Sequence, residues 1–302
     1  MSFKVIKSGF LSLVEDYGRF GLAQYGLSQS GVMDEHGYCW ANHLLDNYFN
    51  DAALEIAFGG CELKALTECS IVVAGADLDF KINGKLQPLW QLLNIKSGDN
   101  LTWSMAKNGV RAYLAVKGGF QTEQLFNSRS VNLREHIGLK ITEGDEILSK
   151  MDDLEAIQHT MPSQFIPDYK QDLILRLLPS YQFDQFDSQQ KRIFFNQSYT
   201  ISNASDRTGC RLEGQAIQYV PSSMISEGIS YGSVEITTQG LPIILLKDRP
   251  TIGGYPKIGT VFSLDLAKLA QRQAGSAVSF ELIDIKTAQQ KRRDFNAFFA
   301  IN

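Results

Sequence analysis

The feature of this sequence that most limits its fold is a repeated local pattern, in which short aliphatic and β-branched runs end at Gly, Pro, Asn or Asp. The clearest example is the run at 70–76, which continues through alternating apolar residues to Asn83-Gly84. This pair is typical of two-residue hairpin turns with positive φ angles. Runs at 111–117, 173–178, 241–246 and 278–282 are typical of half-buried strands. The pattern therefore predicts a mainly β fold with a few helices, and not alternating βαβ units.

Two stretches are predicted to be helical. The first begins at Asp34 and ends near Asp46-Asn47, and the second runs from about Asp265 to Gly275. An Asp at the start of a helix can accept hydrogen bonds from backbone N–H groups that the first turn leaves unpaired.

A polar stretch between Lys150 and Gln171 lacks hydrophobic periodicity and contains Met161-Pro162 and Ile166-Pro167, which interrupt helices. We therefore predict an N-terminal β-rich domain at 1–150, a connector at 151–170 and a C-terminal domain at 171–302.

Charge and composition exclude several classes of protein. Lys and Arg total 29 against 33 Asp and Glu, a net charge of 29 − 33 = −4, so a basic nucleic-acid-binding face is not expected. No apolar run approaches the roughly 18–20 residues that span a bilayer, and the opening residues lack the zones of a signal peptide. The four cysteines lack the spacing of a disulfide framework or a zinc site. We expect a cytoplasmic protein without membrane or nucleic-acid partners.

Common catalytic signatures are absent from the sequence. There is no P-loop, no dinucleotide-binding glycine motif, no H-E-x-x-H and no G-x-S-x-G. His36 and His43 lie seven residues apart, and Asp77 and Asp79 alternate in one run, but neither pair alone indicates a site. We predict no metal site.

Four clusters rich in Gly, Asp, Arg and Ser are the remaining candidates for a functional site: 14–21 with 29–34, 118–119 with 127–130, 202–214, and 246–259. Arginine presents a planar fork that binds carboxylate or phosphate at two points. Glycine lets backbone N–H groups approach the same oxygens. An alternative stays open, in which Asp206-Arg207 and Asp248-Arg249 only pair with each other or cap turns.

Read in order, these clusters resemble the family called allophanate hydrolase subunit 2, KipA, or the C subunit of bacterial 5-oxoprolinase (PxpC), within the biotin-dependent carboxyltransferase-like proteins. The resemblance rests on the segments 15–19, 30–34, 111–119, 128–131, 205–214, 226–228 and, most specifically, 248–258. Two departures concern acidic residues: Glu15 and Glu235 stand where the family usually has Gln.

The resemblance implies two β-rich domains, the second a cyclophilin-like β-barrel. It also implies a subunit of an ATP-dependent 5-oxoprolinase, which activates the lactam and converts 5-oxoproline to L-glutamate. The implied partners are a B subunit (KipI- or PxpB-like) in a hetero-oligomer and an A subunit (PxpA-like). ATP, bound with Mg, would be the co-substrate. No covalent biotin is expected, because the chain has no A-M-K-M-like sequence.

Two other functions stay open. One is the carboxyltransferase component of a urea- or allophanate-type biotin-dependent system. The other is a non-catalytic regulatory partner of a KipI-like protein. The sequence also leaves open whether the chain is active alone.

The clusters and the resemblance together select candidate site residues. The candidates for catalysis are Asp206, Arg207, Lys247 and Asp248; those for substrate binding are Asn203, Arg211, Tyr255, Arg129 and Arg19; and those for nucleotide binding are Gly253 and Gly254. Replacing Arg207 with Ala is expected to abolish activity of the assembled complex while leaving the fold intact.

Overall fold

The computed structural model describes residues 2–150, 154, 159–219 and 224–301. The chain divides into two compact units. Unit 1 comprises residues 1–19, 30–170 and 299–301, and unit 2 comprises 20–29 and 171–298. Of the predicted connector, residues 151–153 and 155–158 lie outside the described residues, and 159–170 belong to unit 1. Residues 20–29, from the N-terminal part of the sequence, belong to unit 2.

Unit 1 is built from antiparallel sheets and one α-helix in its described part. The six-stranded sheet has the order β11-β1-β4-β9-β6-β7, and the five-stranded sheet has the order β2-β3-β10-β5-β8. The elements are β1 (Ser2–Ser8), β2 (Leu11–Glu15), α1 (Glu35–His43), β3 (Ala53–Ala57), β4 (Cys61–Ala65), β5 (Cys69–Asp77), β6 (Lys81–Ile82), β7 (Lys85–Leu86), β8 (Leu92–Ile95), β9 (Asn100–Thr102), β10 (Asn108–Val116) and β11 (Glu146–Leu148).

One hydrophobic cluster draws side chains from both sheets of unit 1, among them Phe3, Leu54, Leu63, Val73 and Leu114. Eight of the nine residues of β5 are buried in an unbroken run, because helix α1 packs against β5 and β10. A strand covered on both faces is expected to be apolar throughout.

Unit 2 contains a closed barrel with the strand order β12-β19-β16-β17-β14-β13-β20, and β12 closes it by pairing in parallel with β20. A separate two-stranded ribbon joins β15 and β18. The elements are β12 (Leu173–Pro179), α2 (Ser188–Phe195), β13 (Tyr199–Ile201), β14 (Gly209–Glu213), β15 (Glu227–Gly228), β16 (Ser233–Ile236), β17 (Pro242–Leu245), β18 (Ile252–Gly253), β19 (Lys257–Val261), α3 (Ser263–Leu269), β20 (Ala277–Leu282) and α4 (Ile285–Phe298).

The mainly β fold and the barrel in the second half confirm the prediction. The hairpin prediction is also confirmed: β6 and β7 pair around Asn83 and Gly84, whose φ angles are 51° and 78°. Asp34 caps α1 by accepting a hydrogen bond from the Gly37 N–H at 3.0 Å. Within the described chain, no helix is long and apolar enough to span a bilayer.

The predicted capping role of Asp265 is wrong. Helix α3 begins at Ser263, so Asp265 lies inside its first turn. Its carboxylate accepts hydrogen bonds from the backbone N–H and the Nε of Arg176, at 3.0 and 2.8 Å. Arg176 carries a charge that attracts this carboxylate, so Asp265 ties α3 to strand β12.

Candidate functional site

Two of the predicted clusters meet through a buried ion pair. The Arg207 Nε donates to Asp248 Oδ2 at 2.8 Å, and both side chains are less than a tenth exposed. The backbone supports the pair, since the Asp248 N–H donates to the Arg207 carbonyl at 2.9 Å. Because each charge neutralises the other away from water, the pair fixes the 202–214 segment against the 246–249 segment.

The residues beside Asp248 place two more cations over one aromatic ring. The Lys247 Nζ lies 4.7 Å from the centre of the Tyr231 ring, and the Arg249 guanidinium lies 5.8 Å from it. Burial lowers the pKa of Arg249. The Ser28 hydroxyl donates to the Arg249 carbonyl at 2.7 Å, so segment 20–29 helps to hold this loop.

Strand register places a row of four side chains on the outer face of the barrel. Arg211 of β14 pairs with Ile243 of β17, Ile243 pairs with Glu235 of β16, and Glu235 pairs with Lys257 of β19. Residues directly opposite one another on neighbouring strands point to the same face. The predicted residue Arg211 therefore shares a face with Glu235 and Lys257, to which sequence analysis gave no role.

An acidic and basic cluster surrounds Lys257. Its Nζ lies 2.7 Å from Glu227 Oε1, and the Tyr181 hydroxyl donates to the other oxygen of Glu227. These hydrogen bonds lower the pKa of Glu227, and the bond to Glu227 raises the pKa of Tyr181 to about 12. Burial raises the pKa of Glu235 to about 7, although nearby Lys257 opposes that shift.

The signal that could have found this cluster is a charged residue inside an otherwise apolar strand. Glu235 lies in the short, wholly buried strand β16, and Lys257 begins β19. A charge is rarely placed in a buried strand without a partner or a function.

The predicted glycine pair lies over this cluster. Gly253 is part of β18, and a Cβ atom there would lie 2.9 Å from Glu235 Oε1 and 2.4 Å from Ile229 Cδ1. Gly254 and Tyr255, which follow it, line a cavity of about 560 Å³ together with residues from 216–219, Met224 and 236–240.

Replacing Gly253 with Ala is expected to raise exposure of the ribbon, because the added methyl group collides with Ile229 and Glu235. We expect a lower melting temperature for Gly253→Ala, measured by circular dichroism. Gly228→Ala, in the paired strand of the same ribbon, is the control, since no atom lies within 4 Å of its Cβ position. If Gly253→Ala melts as the wild type does, the close packing around Gly253 is contradicted.

Asp206 and Asn203 lie on the exposed part of the same loop. The Asp206 carboxylate accepts hydrogen bonds from the backbone N–H groups of Thr208 and Gly209, at 2.7 and 3.1 Å. This is the turn-capping role that the sequence left open for Asp206. Asn203 is exposed. Their predicted roles in orienting substrate stay predictions.

The arginines predicted from the first half of the chain lie in unit 1, where both hold a buried structural network. The Asp16 carboxylate accepts hydrogen bonds from the hydroxyls of Ser128 and Ser130, both at 2.6 Å, and from the backbone N–H groups of Gly18 and Arg129, at 2.9 and 2.7 Å. Arg19 is buried and donates to the Ser130 carbonyl.

The Arg129 guanidinium is also bound within unit 1. It donates to the Thr122 carbonyl and to Gln121 Oε1, the latter at 2.9 Å. Through these hydrogen bonds, Arg19 and Arg129 stabilise unit 1. Their roles in substrate binding stay predictions.

Among the described residues, the candidate site residues do not form a site that fits ATP. A triphosphate needs several cations that are not already neutralised and backbone N–H groups that converge on it. Arg207 and Lys257 pair with carboxylates. Gly253, in β18, lies close to the carboxyl group of Glu235. Among the described residues, no group of three or more His, Cys, Asp or Glu could hold a metal ion. The nucleotide-binding role of Gly253 and Gly254 stays a prediction.

Comparison with known proteins gives relatives over nearly the whole chain. A protein of Haemophilus influenzae named as the C subunit of 5-oxoprolinase is 34% identical over 93% of this chain and 91% of its own length. The protein of the same name from Escherichia coli is 30% identical over 98% of this chain and 96% of its own length.

Two solved structures share the fold. The protein TTHA0988 superposes with a TM-score of 0.84 and 30% identity, covering 93% of this chain and 55% of that one. The urea amidolyase of K. lactis superposes with a TM-score of 0.90 and 25% identity, covering 99% of this chain and 20% of that one. The chain thus spans about half of one solved relative and a fifth of the other.

A family model described as "Carboxyltransferase domain, subdomain A and B" matches residues 25–282, which include the barrel and most of unit 1. The match agrees with the resemblance seen in the motifs of both halves. This chain belongs to the carboxyltransferase-domain family, together with the 5-oxoprolinase C subunits.

Proposed function

We propose that this chain is a subunit of an ATP-dependent 5-oxoprolinase, which acts with a B subunit and an A subunit to convert 5-oxoproline to L-glutamate. The observation that carries the proposal is the match to two proteins named as C subunits of 5-oxoprolinase, over more than nine tenths of both chains. Such coverage leaves little of either relative without a counterpart here.

The outer face of the barrel supplies chemistry that suits this substrate. Opening the lactam breaks its C–N bond, adds the oxygen of water to the carbonyl carbon and leaves a proton on nitrogen. The substrate keeps its carboxylate throughout and needs a cation to hold it. Arg211 is exposed, and none of the described residues hydrogen-bonds its guanidinium. Its planar fork is suited to binding that carboxylate.

The buried pair positions this arginine. Arg207 and Asp248 fix one end of the segment that leads into β14, where Arg211 lies. We therefore assign Arg211 to substrate binding, and Arg207 with Asp248 to positioning. ATP binding is assigned to the assembled complex.

Replacing Arg211 with Gln tests the substrate-binding assignment. Loss of a charged hydrogen bond costs about 1.5–3 kcal/mol, so KM for 5-oxoproline should rise about 10- to 100-fold in the assembled complex. The melting temperature should stay unchanged, because the side chain is exposed. Glu213→Gln, at the next outward position of β14, is the matched control. Equal KM values for the two variants would remove Arg211 from the site.

The proposed function itself is tested by omission. The chain is mixed with candidate B and A subunits, and ATP-dependent formation of glutamate from 5-oxoproline is measured with each component left out in turn. We expect product only when all three are present. Full activity without this chain would overturn its role as a required subunit.

A second function is favoured by one observation, the TM-score of 0.90 with a urea amidolyase. This chain would then be the carboxyltransferase component of a urea-type system and receive its carboxyl group from a biotinylated carrier. Because the chain covers only 20% of that enzyme, the other components would be separate proteins. Activity that requires bicarbonate and a biotinylated carrier would support this second function.

A further inference from the structure

The ribbon of β15 and β18 covers a buried carboxyl group on the outer face of the barrel. Glu227 pairs with Gly253, and Gly228 pairs with Ile252. Beneath the ribbon, Glu235 is only 5% exposed. Gly253 lies so close that a Cβ atom there would be 2.9 Å from Glu235 Oε1.

One lysine ties the ribbon to the barrel. The Lys257 Nζ lies 2.7 Å from Glu227 Oε1 and donates to the Gly228 carbonyl at 3.2 Å. Lys257 belongs to barrel strand β19, whereas Glu227 and Gly228 form β15. The pair therefore spans the junction between the ribbon and the barrel.

The Glu235 carboxyl group lies beside this pair and makes no hydrogen bond to the described residues. It is opposite Lys257 in the strand register, and strand β17 faces it with the apolar Ile243. The ribbon contributes Glu227, which Tyr181 also contacts, and Tyr219 lies within electrostatic range of Glu227. Two carboxyl groups thus compete for one ammonium group.

We propose that Glu235, Lys257 and Glu227 form a proton-operated latch, which holds the β15–β18 ribbon on the barrel while Glu235 is neutral and releases it when Glu235 ionises. While Glu235 is neutral, Lys257 forms an ion pair with Glu227 alone. When Glu235 ionises, its carboxylate also attracts Lys257 and weakens the ion pair between Lys257 and Glu227. The buried Glu235 carboxylate is also more stable in contact with water, which the closed ribbon excludes.

Electrostatics place this change in the neutral range. Burial raises the pKa of Glu235 to about 7, and hydrogen bonds from Lys257 and Tyr181 lower that of Glu227. Release of the ribbon also moves one wall of the cavity, because the chain passes from Gly253 directly into Gly254 and Tyr255, which line it. Only this consequence for substrate access rests on the proposed function.

Hydrogen exchange tests the latch on the full chain without any activity measurement. Exchange is followed by mass spectrometry from about pH 5.5 to about pH 8.5, corrected for intrinsic rates, in peptides covering 224–230 and 250–256. As pH rises toward the pKa of about 7, the opening equilibrium of the wild type should rise about tenfold per pH unit, and above that pKa it should level off. Glu235→Gln should keep both peptides protected throughout, and the exposed control Glu213→Gln should follow the wild type. The same pH dependence in Glu235→Gln and wild type would overturn the proposal.

A second variant breaks the latch from the ribbon side. Glu227→Gln removes the charge that Lys257 holds, and its side chain is partly exposed, so the barrel should still fold. Its ribbon should exchange rapidly at every pH, with no step near neutrality. A protected ribbon in Glu227→Gln would contradict the latch.

Thermal stability gives an independent readout. The pKa of Glu235 lies above its ordinary value of 4.5, so the folded chain binds this proton more tightly than the unfolded chain. The wild type therefore loses stability as pH rises from about 4.5 through about 7, whereas Glu235→Gln does not. The melting temperature of the variant should exceed that of the wild type above pH 7 and approach it at low pH. Parallel melting curves across this range would contradict the titration of Glu235.

Discussion

Replacing Arg207 with Ala should lower the free energy of unfolding of unit 2 by about 3–5 kcal/mol, because Asp248 would stay buried without its partner. Both side chains are less than a tenth exposed, and Nε and Oδ2 are 2.8 Å apart. Denaturation with urea, followed by circular dichroism, measures the change. The expectation from the sequence, in which this variant keeps its fold and loses only activity, is revised by the burial of the pair.

The double variant Arg207→Met with Asp248→Leu separates charge burial from loss of packing. It removes both charges and retains much of the volume, so it should recover most of the stability lost in Arg207→Ala. Activity should not recover, because the paired loops would lose the orientation that presents Arg211. If the free energy of unfolding of Arg207→Ala lies within about 1 kcal/mol of the wild-type value, the ion pair does not hold the site together.

Replacing Asp16 with Ala should destabilise unit 1 by more than about 4 kcal/mol, since four donors, three of them in buried hydrogen bonds, would lose their acceptor at once. Those donors are the hydroxyls of Ser128 and Ser130 and the backbone N–H groups of Gly18 and Arg129. Asp16→Asn keeps the shape of the side chain and one carbonyl oxygen, so its loss of stability should be about half as large. Urea denaturation again gives the measurement.

The control for Asp16 is Asp145→Ala. Asp145 is exposed, and its carboxylate accepts hydrogen bonds from the backbone N–H and hydroxyl of Thr142 in the same turn. Its removal should cost less than about 1 kcal/mol. Equal losses for Asp16→Ala and Asp145→Ala would show that the Asp16 network does not hold 16–19 to 128–130.

The elements predicted from local patterns agree with the structure where local chemistry decides the conformation. Alternation and the Asn83-Gly84 turn predict a hairpin because each residue acts on its neighbours. Helix α4 (Ile285–Phe298) was missed; among its described side chains only Ala288 is buried, so little of this helix belongs to the hydrophobic core. Good helix formers such as Ala, Gln, Lys and Arg were the signal available there.

The site was only partly predictable for a topological reason. Arg207, Arg211 and Asp248 stand in recognisable loop motifs, and the structure brings their segments together. The row from Arg211 to Lys257 depends on the order β14-β17-β16-β19, in which only β16 and β17 are consecutive strands. Sequence spacing does not show which strands pair, so Glu235 and Lys257 could not be placed beside Arg211.

The motifs at 15–19 and 128–130 also have a structural role that the sequence did not reveal. Their density of Asp, Arg and Ser resembles a binding site, and the Asp16 carboxylate accepts three hydrogen bonds from 128–130 and one from Gly18, so it joins two segments of unit 1. A buried carboxylate that receives four donors contributes structure and has little capacity left for a ligand.

Product analysis on one assembled preparation decides between the 5-oxoprolinase and the biotin-dependent function. The chain and its B and A partners receive 5-oxoproline and ATP, with and without bicarbonate and a biotinylated carrier, and glutamate and ADP are quantified together. We expect glutamate and ADP to appear in equal amounts, and neither to depend on bicarbonate or carrier. Turnover that occurs only with bicarbonate and the biotinylated carrier would contradict the 5-oxoprolinase function.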